Sequence, residues 1–201
     1  YVAEYQFNAA QISAVGADGT NARTLFALPA AQWLPIGLTF NPGNGRLYWT
    51  DSAGASEIVS ALTSGAGNTV VASFTGFGRG ASLDAQGRIY FSSNNTLRRV
   101  NADGTGLTTL YTDASTNPLG QPKVDATNGR VYVGANGRII SLDLDGGTLR
   151  TVVEGVSQPR AIGLDVGAGF IYWADGDTIT DFVGRARLDG TEFTVLIDIT
   201  P

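Results

Sequence analysis

The feature of this sequence that most constrains its fold is a pattern that returns about every forty residues. The segment from Pro159 to Ile197 contains four short apolar runs, each bounded by turns rich in Gly or Asp. The same order of landmarks occurs upstream, and one tyrosine marks the second run of each copy, at spacings of 42, 42 and 40 residues: Tyr48, Tyr90, Tyr132 and Tyr172. A period near forty with four strands per repeat predicts an all-β fold, the β-propeller.

The chain contains five such repeats, which we interpret as one domain. Their approximate boundaries are 1–34, 35–77, 78–118, 119–157 and 158–201. The first repeat starts at its second strand, because Tyr5 and Ile12 lie at the positions that Tyr90 and Leu97 occupy in the third repeat. We therefore expect five four-stranded antiparallel blades, the first without its innermost strand, about nineteen strands in all, and almost no helix.

Composition limits the classes of function. The 201 residues include no Cys and no His, which leaves no disulfide, no thiolate ligand and no imidazole for acid–base chemistry. The net charge is −5 without clusters of Lys or Arg, so nothing indicates binding to nucleic acid or to an anionic membrane. No apolar run is long enough for a transmembrane segment. The absence of Met indicates a processed or excised chain, and we predict no cofactor and no metal site.

Several motif pieces recur in a fixed order. They are Leu47–Asp51 (LYWTD), Ile171–Asp175 (IYWAD), Pro159–Asp165 (PRAIGLD) and the Asp-Gly-Thr turns at 103–105 and 189–191. These pieces resemble the YWTD repeat of the low-density-lipoprotein-receptor class B family over nearly the whole chain. The resemblance implies a propeller that docks protein ligands or neighbouring modules at an extracellular, cell-surface or periplasmic location. The motif residues expected to hold the blades are Tyr48, Trp49, Asp51, Tyr90, Tyr132, Tyr172, Trp173 and Asp175.

The chain departs from the family pattern in two ways. Propellers of the family usually have six blades flanked by disulfide-bonded modules, whereas this chain has about five repeats and no Cys. The motif has also changed to Tyr90-Phe91-Ser92-Ser93 and Tyr132-Val133-Gly134-Ala135, so two repeats lack its Asp.

Asp-Gly pairs recur in four of the five repeats, at 18–19, 103–104, 145–146 and 189–190. Glycine adopts positive φ without steric cost, so these pairs predict tight turns between strands. Calcium binding is the alternative, but its oxygen ligands would have to converge, and these pairs lie one blade apart. The Asn-Gly pairs at 44–45, 128–129 and 136–137 are interpreted as turns in the same way.

An enzyme is the main alternative in another functional class. Propeller lactonases and related hydrolases hold a cation in the central channel with carboxylates and amides from several blades. The first strands here end in Asp84, Asp125 and Asp165, with Asn41 in the second repeat, and we interpret these residues as turn caps. The glycine-rich stretch Gly76–Gly80 precedes a strand and not a helix, so it does not match a phosphate-binding loop.

The connections after the second and fourth strands are longer and more variable than the others, and several carry aromatic or acidic residues. Variable loops on a rigid scaffold are where binding usually occurs. The predicted binding residues are Trp33, Phe77, Asp113, Asp177 and Phe182. We expect a non-catalytic protein-binding or assembly module that uses this face or the open edge of the strand Val2–Gln6. A carbohydrate-binding propeller, with sugar rings stacked on exposed aromatics, is a further alternative, and Trp33 and Phe77 could instead be core residues.

Overall fold

A computed structural model of the chain describes residues 1–6, 9–28, 34–52, 55–176 and 181–198. This part contains nineteen strands and no helix, arranged as one three-stranded and four four-stranded antiparallel sheets. Strands that follow one another in the chain are neighbours in each sheet, so every sheet is a meander, which we call a blade and number in chain order. The arrangement confirms the predicted propeller, including a first blade of three strands. In the described residues, no helix is long and apolar enough to cross a membrane.

The strands lie within the predicted repeats. Blade 1 contains β1 (Val2–Gln6), β2 (Ala9–Ala14) and β3 (Arg23–Leu28). Blade 2 contains β4 (Pro35–Asn41), β5 (Arg46–Asp51), β6 (Ser56–Leu62) and β7 (Thr69–Phe74). Blade 3 contains β8 (Gly78–Leu83), β9 (Ile89–Ser93), β10 (Thr96–Val100) and β11 (Thr108–Thr112). Blade 4 contains β12 (Lys123–Asp125), β13 (Arg130–Ala135), β14 (Arg138–Asp143) and β15 (Arg150–Glu154). Blade 5 contains β16 (Pro159–Asp165), β17 (Phe170–Gly176), β18 (Asp181–Arg187) and β19 (Thr194–Asp198).

Each blade has the same irregularity between its last two strands. The pairing register shifts by the insertion of a residue near the middle of the strand pair, at Ile12/Ser13, Ile58/Val59, Leu97/Arg98, Ile139/Ile140 and Val183/Gly184. A bulge increases the local twist of a strand pair. Its recurrence indicates that every blade is twisted in the same way, so that successive blades can stack.

Alternation along the strands gives every interior blade two apolar faces. In β5, Leu47 and Trp49 pack towards blade 1, whereas Tyr48 packs towards blade 3. All three side chains are fully buried. The marker tyrosines of the second, third and fourth repeats, Tyr48, Tyr90 and Tyr132, are therefore packing residues between one blade and the next.

The buried apolar residues of the described part form four clusters, one between each pair of consecutive blades. Each cluster combines residues of both blades, such as Ile12 and Trp49, Tyr48 and Phe91, Tyr90 and Val133, and Tyr132 and Trp173. Among the described residues, no such cluster joins blade 5 to blade 1. The core is therefore a series of four layers between five sheets.

The Asp-Gly turns are confirmed, and two of them also lie against the preceding blade. All four glycines have positive φ, between 80° and 92°. A side chain at Gly104 would overlap the carbonyl oxygen of Val71, and one at Gly190 would overlap that of Val152. The turns at Gly104 and Gly190 thus lie directly on the outermost strand of the blade before them, where only glycine fits.

The aspartates of these turns are hydrogen-bonded within the turn. Asp103 accepts bonds from the backbone N–H and the hydroxyl of Thr105, at 2.9 and 2.7 Å, and the turns at 18–20 and 189–191 repeat this geometry. These bonds from threonine lower the pKa of the Asp103 carboxyl. The Asp145-Gly146 turn has no threonine, and Asp145 instead pairs with Arg99 and Arg88.

We predict that Gly134→Ala destabilises the protein, because the new methyl group would overlap the carbonyl oxygen of Pro159 in the next blade. The expected loss in the free energy of unfolding is about 3 kcal/mol, measured by urea denaturation. Gly163→Ala is the control, because a methyl group added at Gly163 would meet no atom within 4 Å, and it should change stability by less than about 0.5 kcal/mol. Equal effects of the two variants would contradict the close approach of blades 4 and 5.

Candidate functional site

In the described residues, the ends of the second and fourth strands and the connections that follow them lie on one side of the propeller, which we call the loop face. Hydrogen bonds join these loops to one another: Leu119 N–H donates to the carbonyl oxygen of Asn94 at 2.8 Å, and Gly137 N–H donates to that of Ser157 at 3.1 Å. The loop face is therefore a connected surface in the part of the chain that the structure describes.

Phe77 is the most exposed predicted binding residue on this face, with 43% of its surface accessible. Its backbone is fixed by Asn94, whose side-chain oxygen accepts from Phe77 N–H at 2.9 Å and whose own N–H donates to the Phe77 carbonyl oxygen at 3.1 Å. Phe77 thus has an anchored backbone and an exposed ring, and it is not a core residue. Trp33 and Asp177 lie outside the described residues.

Asp113 is placed differently, because its side chain is buried. It accepts hydrogen bonds from the Tyr111 hydroxyl at 2.7 Å and from Ser115 N–H at 2.8 Å, and it pairs with Arg138 at 2.8 Å. Burial raises the pKa of Asp113, but these bonds and the Arg138 charge outweigh it, and the net shift is downward. Its carboxylate is therefore engaged within the chain, where it anchors the loop that follows β11.

Phe182 and Asp175 border an open groove of about 510 Å³ on the loop face of blade 5. Phe182 is half-buried and packs against the cluster between blades 4 and 5, with its ring 6.4 Å from that of Phe193. Asp175 is buried and accepts from the backbone N–H groups of Ser157 and Gln158 at 2.7 and 2.6 Å. The carboxylate of the IYWAD motif thus holds the loop between blades 4 and 5.

The other motif residues have packing roles. Trp49, Trp173, Tyr48 and Tyr90 are almost fully buried, and Asp51 is buried as well. The Tyr90 hydroxyl lies 3.0 Å from both the Asp84 carboxylate and the Leu144 carbonyl oxygen, so it joins blade 3 to blade 4. Tyr172 is half-buried on the face of blade 5 that points away from blade 4.

The structure brings together two arginines that the sequence analysis did not select. Arg79 in β8 and Arg160 in β16 both line a cavity of about 70 Å³ between these two strands of blades 3 and 5 and β13 of blade 4. The remaining lining residues are Asn117, Pro118, Gly120, Gly134, Ala135, Asn136, Gln158 and Pro159. The sequence contains an indication of this pair. When residues 78–84 (GRGASLD) are aligned with residues 159–165 (PRAIGLD), both segments have arginine at the second position.

The carboxylates at the ends of the innermost strands serve the adjacent turns. Asp84 accepts from Gln86 N–H at 3.0 Å and pairs with Arg88 at 2.6 Å, while Asp125 accepts from the Asn128 backbone N–H at 2.9 Å. Asp165 accepts from Ala168 N–H at 2.9 Å. Within the described residues, no group of three or more acidic side chains converges as metal ligands would. This geometry is that of turn caps.

Comparison with known proteins gives a local match in sequence. No known protein-family profile matches the chain. A stretch of 67 residues is 40% identical to the low-density lipoprotein receptor-related protein 1 of Pyricularia oryzae, which corresponds to 31% of this chain and 22% of that protein. This local match to a receptor-related protein thus supports the resemblance to the low-density-lipoprotein-receptor repeat that the motifs indicate.

Solved structures share the fold over most of the chain. A chain of the nidogen/laminin complex has a TM-score of 0.83 at 20% identity, covering 97% of this chain and 77% of that one. TolB from Acinetobacter baumannii has a TM-score of 0.77 at 13% identity, covering 98% and 51%. A gluconolactonase from Xanthomonas campestris has a TM-score of 0.66 at 18% identity, covering 80% and 60%. These likenesses establish the propeller fold, and the chain spans only about half of TolB.

We predict that Tyr90 makes the stability of the protein sensitive to alkaline pH. Burial and the neighbouring Asp84 carboxylate raise the pKa of Tyr90 to about 12, against about 10 in an unfolded chain. Its contribution is fully present below pH 10 and is lost as the pH rises towards 12, because the unfolded state releases the proton first.

Urea denaturation at several pH values tests this prediction. Tyr90→Phe should be less stable than wild type by about 1 kcal/mol at pH 8, through the lost hydrogen bond. The difference should shrink as the pH rises from 10 to 12. Tyr1→Phe is the control, because the Tyr1 ring is exposed. A constant difference between wild type and Tyr90→Phe across this range would contradict the assignment.

Proposed function

We propose that this chain is a non-catalytic protein-binding module, located outside the cell or at its surface, that docks a protein partner on the loop face. The observation that carries the proposal is the exposed ring of Phe77, on a backbone held by two hydrogen bonds to Asn94. A large ring on an ordered backbone leaves less backbone entropy to lose on binding, which makes it a suitable anchor for a partner.

The surroundings of Phe77 support a docking surface. The Arg79 guanidinium lies 5.8 Å from the centre of the Phe77 ring, so an aromatic residue and a cation are presented side by side. The groove bordered by Phe182 lies on the same face. Arginine and aromatic residues are enriched at the energetically important positions of protein interfaces.

The comparisons add indirect support. One of the structures with this fold is a chain of the nidogen/laminin complex, that is, a propeller solved with a protein partner. The gluconolactonase shares the fold at 18% identity, but fold alone does not carry an activity. In this chain, Asp84, Asp125 and Asp165 are hydrogen-bonded in turns, which favours the binding module over a cation-dependent hydrolase.

Assembly with a second copy is a further candidate function, favoured by the outward faces of the first and last blades. The face of blade 5 that points away from blade 4 carries Arg185 and Arg187, whose guanidinium groups lie 4.5 and 4.2 Å from the centre of the Phe170 ring. The corresponding face of blade 1 carries Glu4, which accepts from Gln11 at 2.9 Å. Arg187 is paired with Glu192 at 3.1 Å, so Arg185 on the one face and Glu4 on the other are the opposite charges that would suit head-to-tail contact between copies.

We predict that Phe77→Ala weakens partner binding without unfolding the protein. Full-length protein would be used to capture partners from the extracellular fraction of its source, and the affinity of each purified partner would be measured. The dissociation constant should rise at least tenfold for Phe77→Ala, which corresponds to about 1.4 kcal/mol or more.

Leu107→Ala is the matched control, because Leu107 is similarly exposed but lies in a turn on the opposite side of the propeller. It should leave the affinity unchanged. Partners that bind both variants equally well would contradict docking on the loop face. Chelator-sensitive hydrolysis of lactones would instead support the enzyme, and binding of glycans alone would support the carbohydrate-binding alternative.

The assembly candidate predicts concentration-dependent association in dilute solution, measured by sedimentation. Deletion of Tyr1–Gln6 or the substitution Glu4→Lys should abolish this association. Combining Glu4→Lys with Arg185→Glu should restore it, because the charges are then exchanged between the faces. A stable monomer at all concentrations, with an intact thermal transition, would contradict assembly.

A further inference from the structure

The cavity between blades 3, 4 and 5 has a composition that the proposed docking surface does not explain. Arg79 and Arg160 occupy the same repeat position in the innermost strands of blades 3 and 5, and blade 4 has Gly120 at the corresponding place. Two guanidinium groups therefore flank a position that carries no side chain.

Close approach of the backbones of blades 4 and 5 forms the floor of the cavity. A side chain at Gly120 would lie 2.6 and 2.7 Å from the carbonyl oxygens of Pro159 and Arg160, and one at Gly134 would overlap that of Pro159. The site is therefore built by the fold and does not result from a loose loop. Its volume of about 70 Å³ exceeds what a single water needs, and a small polyatomic group can enter.

The charge in the cavity is not compensated. None of its lining residues is acidic, although the chain as a whole has a net charge of −5. In the described part of the chain, the Nε atom of Arg79 is buried without a hydrogen-bond partner. Burial, and then the positive charge of Arg160, lower the pKa of the Arg79 guanidinium. A buried donor without a partner costs free energy, which a bound anion would recover.

The neighbouring amides add donors to the site. The Gln158 side-chain oxygen accepts from Arg160 at 2.7 Å, and the Asn136 side-chain oxygen accepts from Asn117 at 2.5 Å. Because the side-chain oxygens of Gln158 and Asn136 accept these bonds, their NH₂ groups are the parts that can donate to a ligand. The cavity thus presents an excess of donors over acceptors, which favours an anion.

The apolar part of the lining indicates the type of anion. Pro118, Ala135 and Pro159 supply hydrocarbon walls beside the guanidinium groups. A carboxylate attached to carbon matches both parts, because its two oxygens can accept from guanidinium groups while its carbon atoms contact the walls.

We propose that this cavity is a binding site for the carboxylate group of a ligand, with Arg79 and Arg160 as the charged binding residues and Gln158 and Asn136 as amide donors. The site goes beyond the protein-docking function and does not depend on it. The carboxylate can belong to a free organic acid or to an acidic or C-terminal residue of a docked protein.

The test uses the full chain with propionate as the probe, titrated by calorimetry and by thermal unfolding against chloride at constant ionic strength. Propionate should bind wild type and raise its melting temperature. Arg79→Gln and Arg160→Gln should each weaken binding at least tenfold. Arg23→Gln, which changes an exposed arginine in β3 of blade 1, should bind like wild type.

Unfolding without propionate separates binding from stability. Arg79→Gln should then be about as stable as wild type, because Arg79 is only half-buried and its Nε atom has no hydrogen-bond partner to lose. Arg160 is exposed, so its replacement provides a second variant that does not disturb the core. Unchanged propionate binding in both variants, or no binding by wild type, would overturn the proposal. Binding of inorganic phosphate but not of propionate would overturn the carboxylate assignment.

Two further binding measurements identify the source of the carboxylate. A short peptide with a free C-terminus that binds more tightly than propionate, and loses this advantage in Phe77→Ala, indicates a protein carboxylate. Equal binding of peptide and propionate indicates a small organic acid. Propionate binding by wild type, when wild type captures no protein partner, would refute the docking proposal and leave the carboxylate site standing.

Discussion

The structure depends on the packing of one sheet against the next. An isolated four-stranded meander of this kind would expose apolar side chains on both faces, as Leu47 and Trp49 on one face of β5 and Tyr48 on the other illustrate. Burial of such aromatic rings between blades contributes several kcal/mol each, at about 25 cal/mol per Å². The repeats therefore stabilise one another, and no blade is expected to fold alone. The outward face of blade 5 differs accordingly: Arg185 and Arg187 cover the Phe170 ring there.

Close stacking also determines where glycine is required. The turn glycines have the positive φ that a tight turn needs, and Gly104 and Gly190 in addition lie against carbonyl oxygens of the preceding blade. Gly120, before β12, and Gly134, in β13, lie against carbonyl oxygens of β16 in the following blade, which brings the backbones of blades 4 and 5 close enough to shape the small cavity. The twist of the blades, the glycines in their turns and the small cavity thus follow from one geometric condition: each blade must fit closely against its neighbour.

Charged groups are distributed unevenly over this framework. The carboxylates of Asp84, Asp113 and Asp175 are buried and hydrogen-bonded, so they stabilise turns and loops. Several arginines form ion pairs across or within blades, as Arg138 does with Asp113. Arg79 and Arg160 are among the arginines of the described residues that form no ion pair, and they face a cavity whose lining contains no acid. The surplus positive charge lies beside Phe77, so the aromatic and cationic parts of the loop face adjoin each other.

The sequence by itself determined the five repeats, the nineteen strands, the three-stranded first blade and the turns at the Asp-Gly pairs. These features depend on alternation, period and backbone preference, which act over a few residues and can be read locally. It could not decide whether Phe77 is core or surface, or show that Asp113 is buried against Arg138. Nor could it show that Arg79 and Arg160 line the same cavity, even though they share a repeat position. Those outcomes depend on how closely the backbone of one blade approaches the next, which only the tertiary structure determines.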